Sequence, residues 1–93
     1  MIQCEGDRLQ IKVPMVMSTA NGLLEAGRAF FDGSHRQVDL SLVEQADSAG
    51  LAVLLEWQRL SQAAGGSVQL LEMPEGLAAL ADLYDLSEVF TQA

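Results

Sequence analysis

VDLSLVEQADSAGLAVLLEWQRLSQAAGGSVQLLEM, residues 38–73, carries three structural signals in succession. The first is a period of two. From Gln37 to Val43, Val38, Leu40 and Leu42 point one way while Asp39 and Ser41 fall on the other side, the pattern of a half-buried strand. The second is a helix start at Ala46-Asp47-Ser48, followed by the most apolar run of the chain, Ala49 to Ala64, and stopped by Gly65-Gly66. At about 100° per residue, Val53, Leu54, Trp57, Leu60 and Ala64 share one arc, which predicts packing against a sheet. The third signal is a strand from Val68 to Met73. Strand, helix and strand in this order predict a parallel pair joined by a right-handed crossover.

Outward from this unit, residues 2–4 and 8–13 flank the turn Glu5-Gly6-Asp7 as a hairpin, with Leu9, Ile11 and Val13 alternating and Pro14 ending the second arm. A helix is expected from Ser18 or Thr19 to about Phe31, with a hydroxyl N-cap and Leu23, Leu24, Ala26, Phe30 and Phe31 as its apolar residues. Gly22 and Gly27 weaken it by up to about 1 kcal/mol each relative to Ala. Pro74-Glu75 opens a last helix in which Leu77, Leu80, Ala81 and Tyr84 form one stripe, and Glu88 to Phe90 ends the chain as a short strand or docked tail. The reading is α/β: an open mixed sheet of four or five strands with three helices, in the order β-β-α-β-α-β-α, as a single domain over residues 1–93.

Composition narrows the function. The net charge is -8, and its distribution is uneven: residues 1–36 are balanced, whereas residues 37–93 hold nine acids against Arg59 alone. Direct contact with nucleic acid or an anionic lipid surface needs clustered Lys and Arg, so neither is expected. An acidic face is either plain solvation or a docking surface for a basic partner. One Cys forms no intramolecular disulfide, and Cys4 with His35 alone completes no metal site. No apolar run reaches membrane-spanning length, and Glu5 and Asp7 stand where a signal peptide carries bases, so a cytoplasmic location is expected. His35, between Ser34 and Arg36, is placed in a polar loop with no nucleophile or second imidazole. No glycine-rich phosphate loop is present. Catalytic residues and cofactors are not expected.

The junction Asp47-Ser48-Ala49-Gly50 stands out. Asp47 or Ser48 caps the helix, worth about 0.5–2 kcal/mol. The same exposed helix start favours an anion, so a phosphate on Ser48 is tolerated, and the small Ala49 and Gly50 let another surface approach. Leu51 and Leu55 lie off the centre of the apolar arc, on the side of Gln58, Arg59 and Gln62. They are either the edge of the core or the apolar middle of a partner site, with Glu56 and Arg59 at its rim.

The VDLS strand at 38–41, the D-S-x-G-L turn at Asp47, Ser48, Gly50 and Leu51, and the helix and strand that follow resemble the central signature of STAS domains. That fold is shared by anti-sigma-factor antagonists and the cytosolic tails of sulfate transporters. The ending Leu80-Ala81-Asp82-Leu83-Tyr84-Asp85-Leu86 is similar to the L-x-x-L-Y-x-L ending of the MlaB-like branch, the small STAS subunits of Mla-type phospholipid ABC transporters. The resemblance implies a STAS-like fold and a non-enzymatic adaptor. Such a subunit binds the transporter's cytoplasmic ATPase, supports its assembly and activity in maintaining outer-membrane lipid asymmetry, and sits at the inner membrane only through that partner. It also implies that Asp47, Ser48, Ala49, Gly50, Leu51, Leu55, Glu56 and Arg59 form the partner face. The alternative it implies is an anti-sigma-factor antagonist switched by phosphorylation of Ser48. Self-association of the free domain stays open.

Overall fold

The computed structural model describes residues 1–86 and 90–92. The elements run β1 (Ile2–Glu5), β2 (Arg8–Ile11), α1 (Met17–Arg28), β3 (His35–Asp39), α2 (Ser48–Ala63), β4 (Ser67–Leu71), α3 (Glu75–Leu83) and β5 (Thr91–Gln92). One five-stranded sheet takes them in chain order, β1-β2-β3-β4-β5. The opening hairpin is antiparallel, turning at Gly6 with φ +59°, and every later pair is parallel. This is the expected mixed α/β sheet with its three helices.

A sheet that grows in one direction through right-handed crossovers takes all its helices on one face. Burial agrees with that. The register aligns Leu9 with Val38 and Val38 with Leu70, and all three are buried under the helices. The neighbouring row, Arg8, Gln37 and Gln69, lies on the opposite face together with Gln3, Glu5 and Gln10. Gln37 Nε2 donates to Gln69 Oε1 at 3.3 Å along it.

Within the helical layer, α2 lies between α1 and α3 and touches both. A central helix loses solvent on its flanks as well as beneath. The buried set of α2 therefore becomes Gly50, Leu51, Val53, Leu54, Trp57, Gln58 and Ser61, while Leu60 is half-buried and Ala64 exposed. The predicted arc is correct in its middle and turned away from Ala64 toward Leu51 and Ser61. Trp57 is fully buried, its ring 5.4 Å from that of Phe31. A Cβ on Gly27 would stand 2.5 Å from the indole Cε2 and Nε1, so the glycine that weakens α1 is what lets α1 pack on α2.

Several boundaries differ from expectation for local reasons. β3 begins at His35 and ends at Asp39, so His35 is a strand residue, its Nδ1 2.7 Å from Ser67 Oγ, and not part of a loop. The chain turns after Asp39, where Ser41 N donates to the Asp39 carboxylate at 2.9 Å, and the alternation breaks: Leu42 is 49% exposed while Val43 is buried. α1 starts at Met17 and ends at Arg28, earlier than expected at both ends. The hydroxyl that serves its start belongs to Thr19 inside the first turn, accepting from Val16 N at 3.1 Å. Tyr84 follows α3 and is 54% exposed, so the stripe stops at Ala81. Most of the expected Glu88–Phe90 element lies outside the described residues. Phe90 is buried, and Thr91–Gln92 forms β5.

Candidate partner-binding face at the start of α2

The loop from β3 to α2 is sewn to the segment that precedes α1. Met15 N donates to Gln45 O at 2.9 Å, Asp47 N donates to Met15 O at 3.1 Å, and Met15 bridges Ala46 in parallel. Asp47 then joins two helix starts. Its Oδ1 accepts from Ala49 N at 2.8 Å, capping α2, and its Oδ2 accepts from Met17 N at 3.3 Å at the first residue of α1. Four amides at each helix start lack internal acceptors, so one carboxylate placed between two starts serves both.

Gly50 has a role other than the one its size suggests. A Cβ there would lie 2.4 Å from Met15 O and 2.9 Å from Met15 Cβ. The close approach it permits is that of its own chain, not of a partner. Leu51 is likewise removed from the surface: at 3% exposure it belongs to the core, the first of the two alternatives its position allowed. Asp47, Gly50 and Leu51 thus hold the site in place, and Ala49 is half-buried beside them.

What α2 presents to solvent is a column at helical spacing. Ser48, Ala52 and Arg59 are exposed, with Leu55 and Glu56 half-buried among them. Ala52, unremarked in the sequence, belongs to it. Its signal is the i, i+4, i+7 spacing from Ser48 to Leu55. Arg59 Nε donates to Glu56 Oε2 at 3.0 Å. That bond and the guanidinium charge hold the Glu56 carboxyl below its ordinary value and raise Arg59. The arrangement is a small hydroxyl and methyl at the helix start, an aliphatic side chain, then a fixed ion pair. It is suited to contact rather than to bond-making.

The other polar cluster lies on the helix-free face of the sheet. Asp39 is 2% exposed, and its Oδ2 accepts from Arg8 Nη2 at 2.9 Å. Burial pushes the carboxyl up, but the hydrogen bonds from Ser41 and the charge and hydrogen bond of Arg8 outweigh it, so the net shift is downward. Asp39 is a buried anion that strand alternation alone assigns to solvent. The signal for it is Arg8 on the neighbouring strand, paired with Gln37 two residues before Asp39 and on the same face. Among the described residues no group of three or more His, Cys, Asp or Glu is placed to hold a metal, and no helix is long and apolar enough to cross a membrane.

With this geometry in place, a family model described as "Mlab, STAS domain" matches residues 2–91. The chain belongs to the STAS domain family. Solved structures share the fold. A protein of Thermotoga maritima described as an anti-sigma factor antagonist superposes with a TM-score of 0.77 at 16% identity, covering 99% of this chain and 83% of that one. A STAS domain protein from Planctomyces limnophilus gives 0.78 at 13% identity, over 99% and 86%. The anti-sigma factor antagonist SpoIIAA in its unphosphorylated form gives 0.73 at 9% identity, over 100% and 86%. A search of curated proteins returns no match. In this STAS domain the D-S-x-G-L turn is largely architectural, and the surface it carries begins at Ser48.

Proposed function

We propose that this STAS domain is a non-enzymatic adaptor that binds the cytoplasmic ATPase of an Mla-type ABC phospholipid transporter and supports its assembly and activity. Through that partner it would act in outer-membrane lipid asymmetry while itself remaining peripheral to the inner membrane. The observation that carries the reading is the column of exposed Ser48, Ala52 and Arg59 with half-buried Leu55 among them, on a helix whose opposite side is locked into the core. The family description, which names Mlab, supports the choice of partner. A central aliphatic side chain with a polar rim is how small interfaces concentrate their binding energy. The test is co-expression with the ATPase subunit of such a transporter and affinity capture. The wild type copurifies with the ATPase and Ser48→Trp does not. Equal recovery of both overturns the reading.

A second reading rests on Ser48 itself, an exposed hydroxyl at a helix start, in a fold shared with an antagonist whose unphosphorylated form is named as such. Phosphorylation would add a charge of about -1.5 to -2. It would sit beside the Asp47 carboxylate, which already accepts from the Ala49 and Met17 amides, so its effect would fall on a partner and not on helix capping. Incubation with an anti-sigma kinase and mass spectrometry of Ser48 tests this. Stoichiometric phosphate that releases a partner supports the antagonist, and an unmodified Ser48 removes it.

A further inference from the structure

At the end of the molecule where α2 begins, the β3–α2 loop and the start of α3 stand apart and leave an open cleft of about 450 Å³. One part of its lining is apolar, Val16 from the start of α1, Ala46 from the loop, and Pro74 and Leu77 from α3, and the rest is polar, Glu44 and Gln45. Its charge is of one sign. Glu44 lines the mouth, and Glu75, exposed, lies between the lining residues Pro74 and Gly76. Among the described residues no Lys, Arg or His lines it. Two apolar side chains stand out into solvent next to it in sequence: Met17, 79% exposed, follows Val16, and Leu42, 49% exposed, precedes Glu44 by two.

We propose that this cleft receives a lysine or arginine side chain, carried with apolar neighbours on a segment of the partner protein. A long basic side chain lays its methylene stem along apolar walls and keeps its charged head at a polar mouth, which is the distribution of chemistry found here. Charge complementarity selects this occupant. A second copy of the chain, at net charge -8, is repelled by Glu44 in the lining, and so is an anionic lipid headgroup. Ala46 immediately precedes the cap Asp47, so the cleft extends the α2 face into a second contact. To that extent the inference rests on the reading of α2 as partner-facing.

The experiment titrates the isotope-labelled domain with a synthetic amphipathic peptide bearing Lys, Arg and Leu at helical spacing, and with a control in which Glu replaces the bases. The basic peptide shifts the amide resonances of Val16, Ala46, Gly76 and Leu77, and the acidic control does not. Glu44→Lys with Glu75→Lys weakens binding at least about 10-fold, as does salt at about 1 M, where the screening length falls to about 3 Å. The milder pair Glu44→Gln with Glu75→Gln, which keeps side-chain shape, weakens binding in the same direction and guards against misfolding. Absent shifts, shifts centred elsewhere, or binding indifferent to both pairs overturns the inference. The two readings fail separately. Peptide binding at the cleft with no capture of an ATPase removes the transporter adaptor and leaves the cleft. ATPase capture that is lost in Ser48→Trp but survives both charge pairs removes the cleft and leaves the adaptor.

Discussion

The same chemical change at two glycines is expected to move stability in opposite directions. In Gly50→Ala the new methyl lies 2.4 Å from Met15 O and 2.9 Å from Met15 Cβ. Neither neighbour yields cheaply: the carbonyl accepts from Asp47 N at 3.1 Å, and Met15 is fully buried. Overpacking of this kind costs about 1–3 kcal/mol, against up to about 1 kcal/mol returned by the better helix propensity of Ala. The net loss is about 1–2 kcal/mol, which for a domain of this size lowers Tm by about 5–15 °C. In Gly76→Ala the new methyl meets nothing within 4 Å, and the position is the second residue of α3. Only the propensity gain remains, up to about 0.5 kcal/mol in the first turn, and Tm rises by a few degrees at most. Urea and thermal unfolding followed by far-ultraviolet circular dichroism measure both. A Gly50→Ala variant as stable as wild type, or a Gly76→Ala variant that loses as much as Gly50→Ala, refutes the assignment of Gly50 to close packing against Met15.

Gly27→Ala drives a methyl to 2.5 Å from the Trp57 indole, so it is expected to cost about 1–3 kcal/mol and to alter tryptophan fluorescence in the folded state; an unchanged spectrum and midpoint would contradict the α1–α2 contact. The folded Asp39 carboxyl ionises below its ordinary value near 3.8, so its contribution to stability is complete above that value and is lost as pH falls through the lowered one. Asp39→Asn is therefore expected to lower stability near neutral pH and to flatten the acid side of the stability–pH curve, read from urea midpoints. Ser48→Trp, at an exposed position, is expected to stay within about 0.5 kcal/mol of wild type in the same assay, which separates its effect on binding from any effect on folding.

The order of elements was legible because each strand and helix advertises its period locally, and Leu9, Val38 and Leu70 needed only alternation to be placed in the core. The face of α2 was legible only in part. Periodicity locates the middle of an apolar arc, but its width depends on how many neighbours the helix has, and the flanking of α2 by α1 and α3 is a property of the whole layer. Gly50 shows the same limit differently. Its small size was visible, but only the return of the Met15 segment against the start of α2 shows which surface it admits. Asp39 escaped because alternation predicts direction and not depth: it faces away from Val38 and Leu40 yet lies covered, paired with Arg8. Asp47 was legible as a cap, while its second bond, to Met17 N, joins residues thirty apart in sequence and no local pattern signals it.

The proposed adaptor would engage an ABC-transporter ATPase through the exposed side of α2. Direct titration of the purified ATPase subunit compares three proteins: wild type, Ser48→Trp, and Gln37→Trp on the helix-free face of the sheet. Gln37→Trp is expected to bind as wild type does and Ser48→Trp at least about 30-fold more weakly, a loss of about 2 kcal/mol from a bulky indole wedged into the edge of the contact. Undiminished binding by a folded Ser48→Trp, or loss confined to Gln37→Trp, would contradict it.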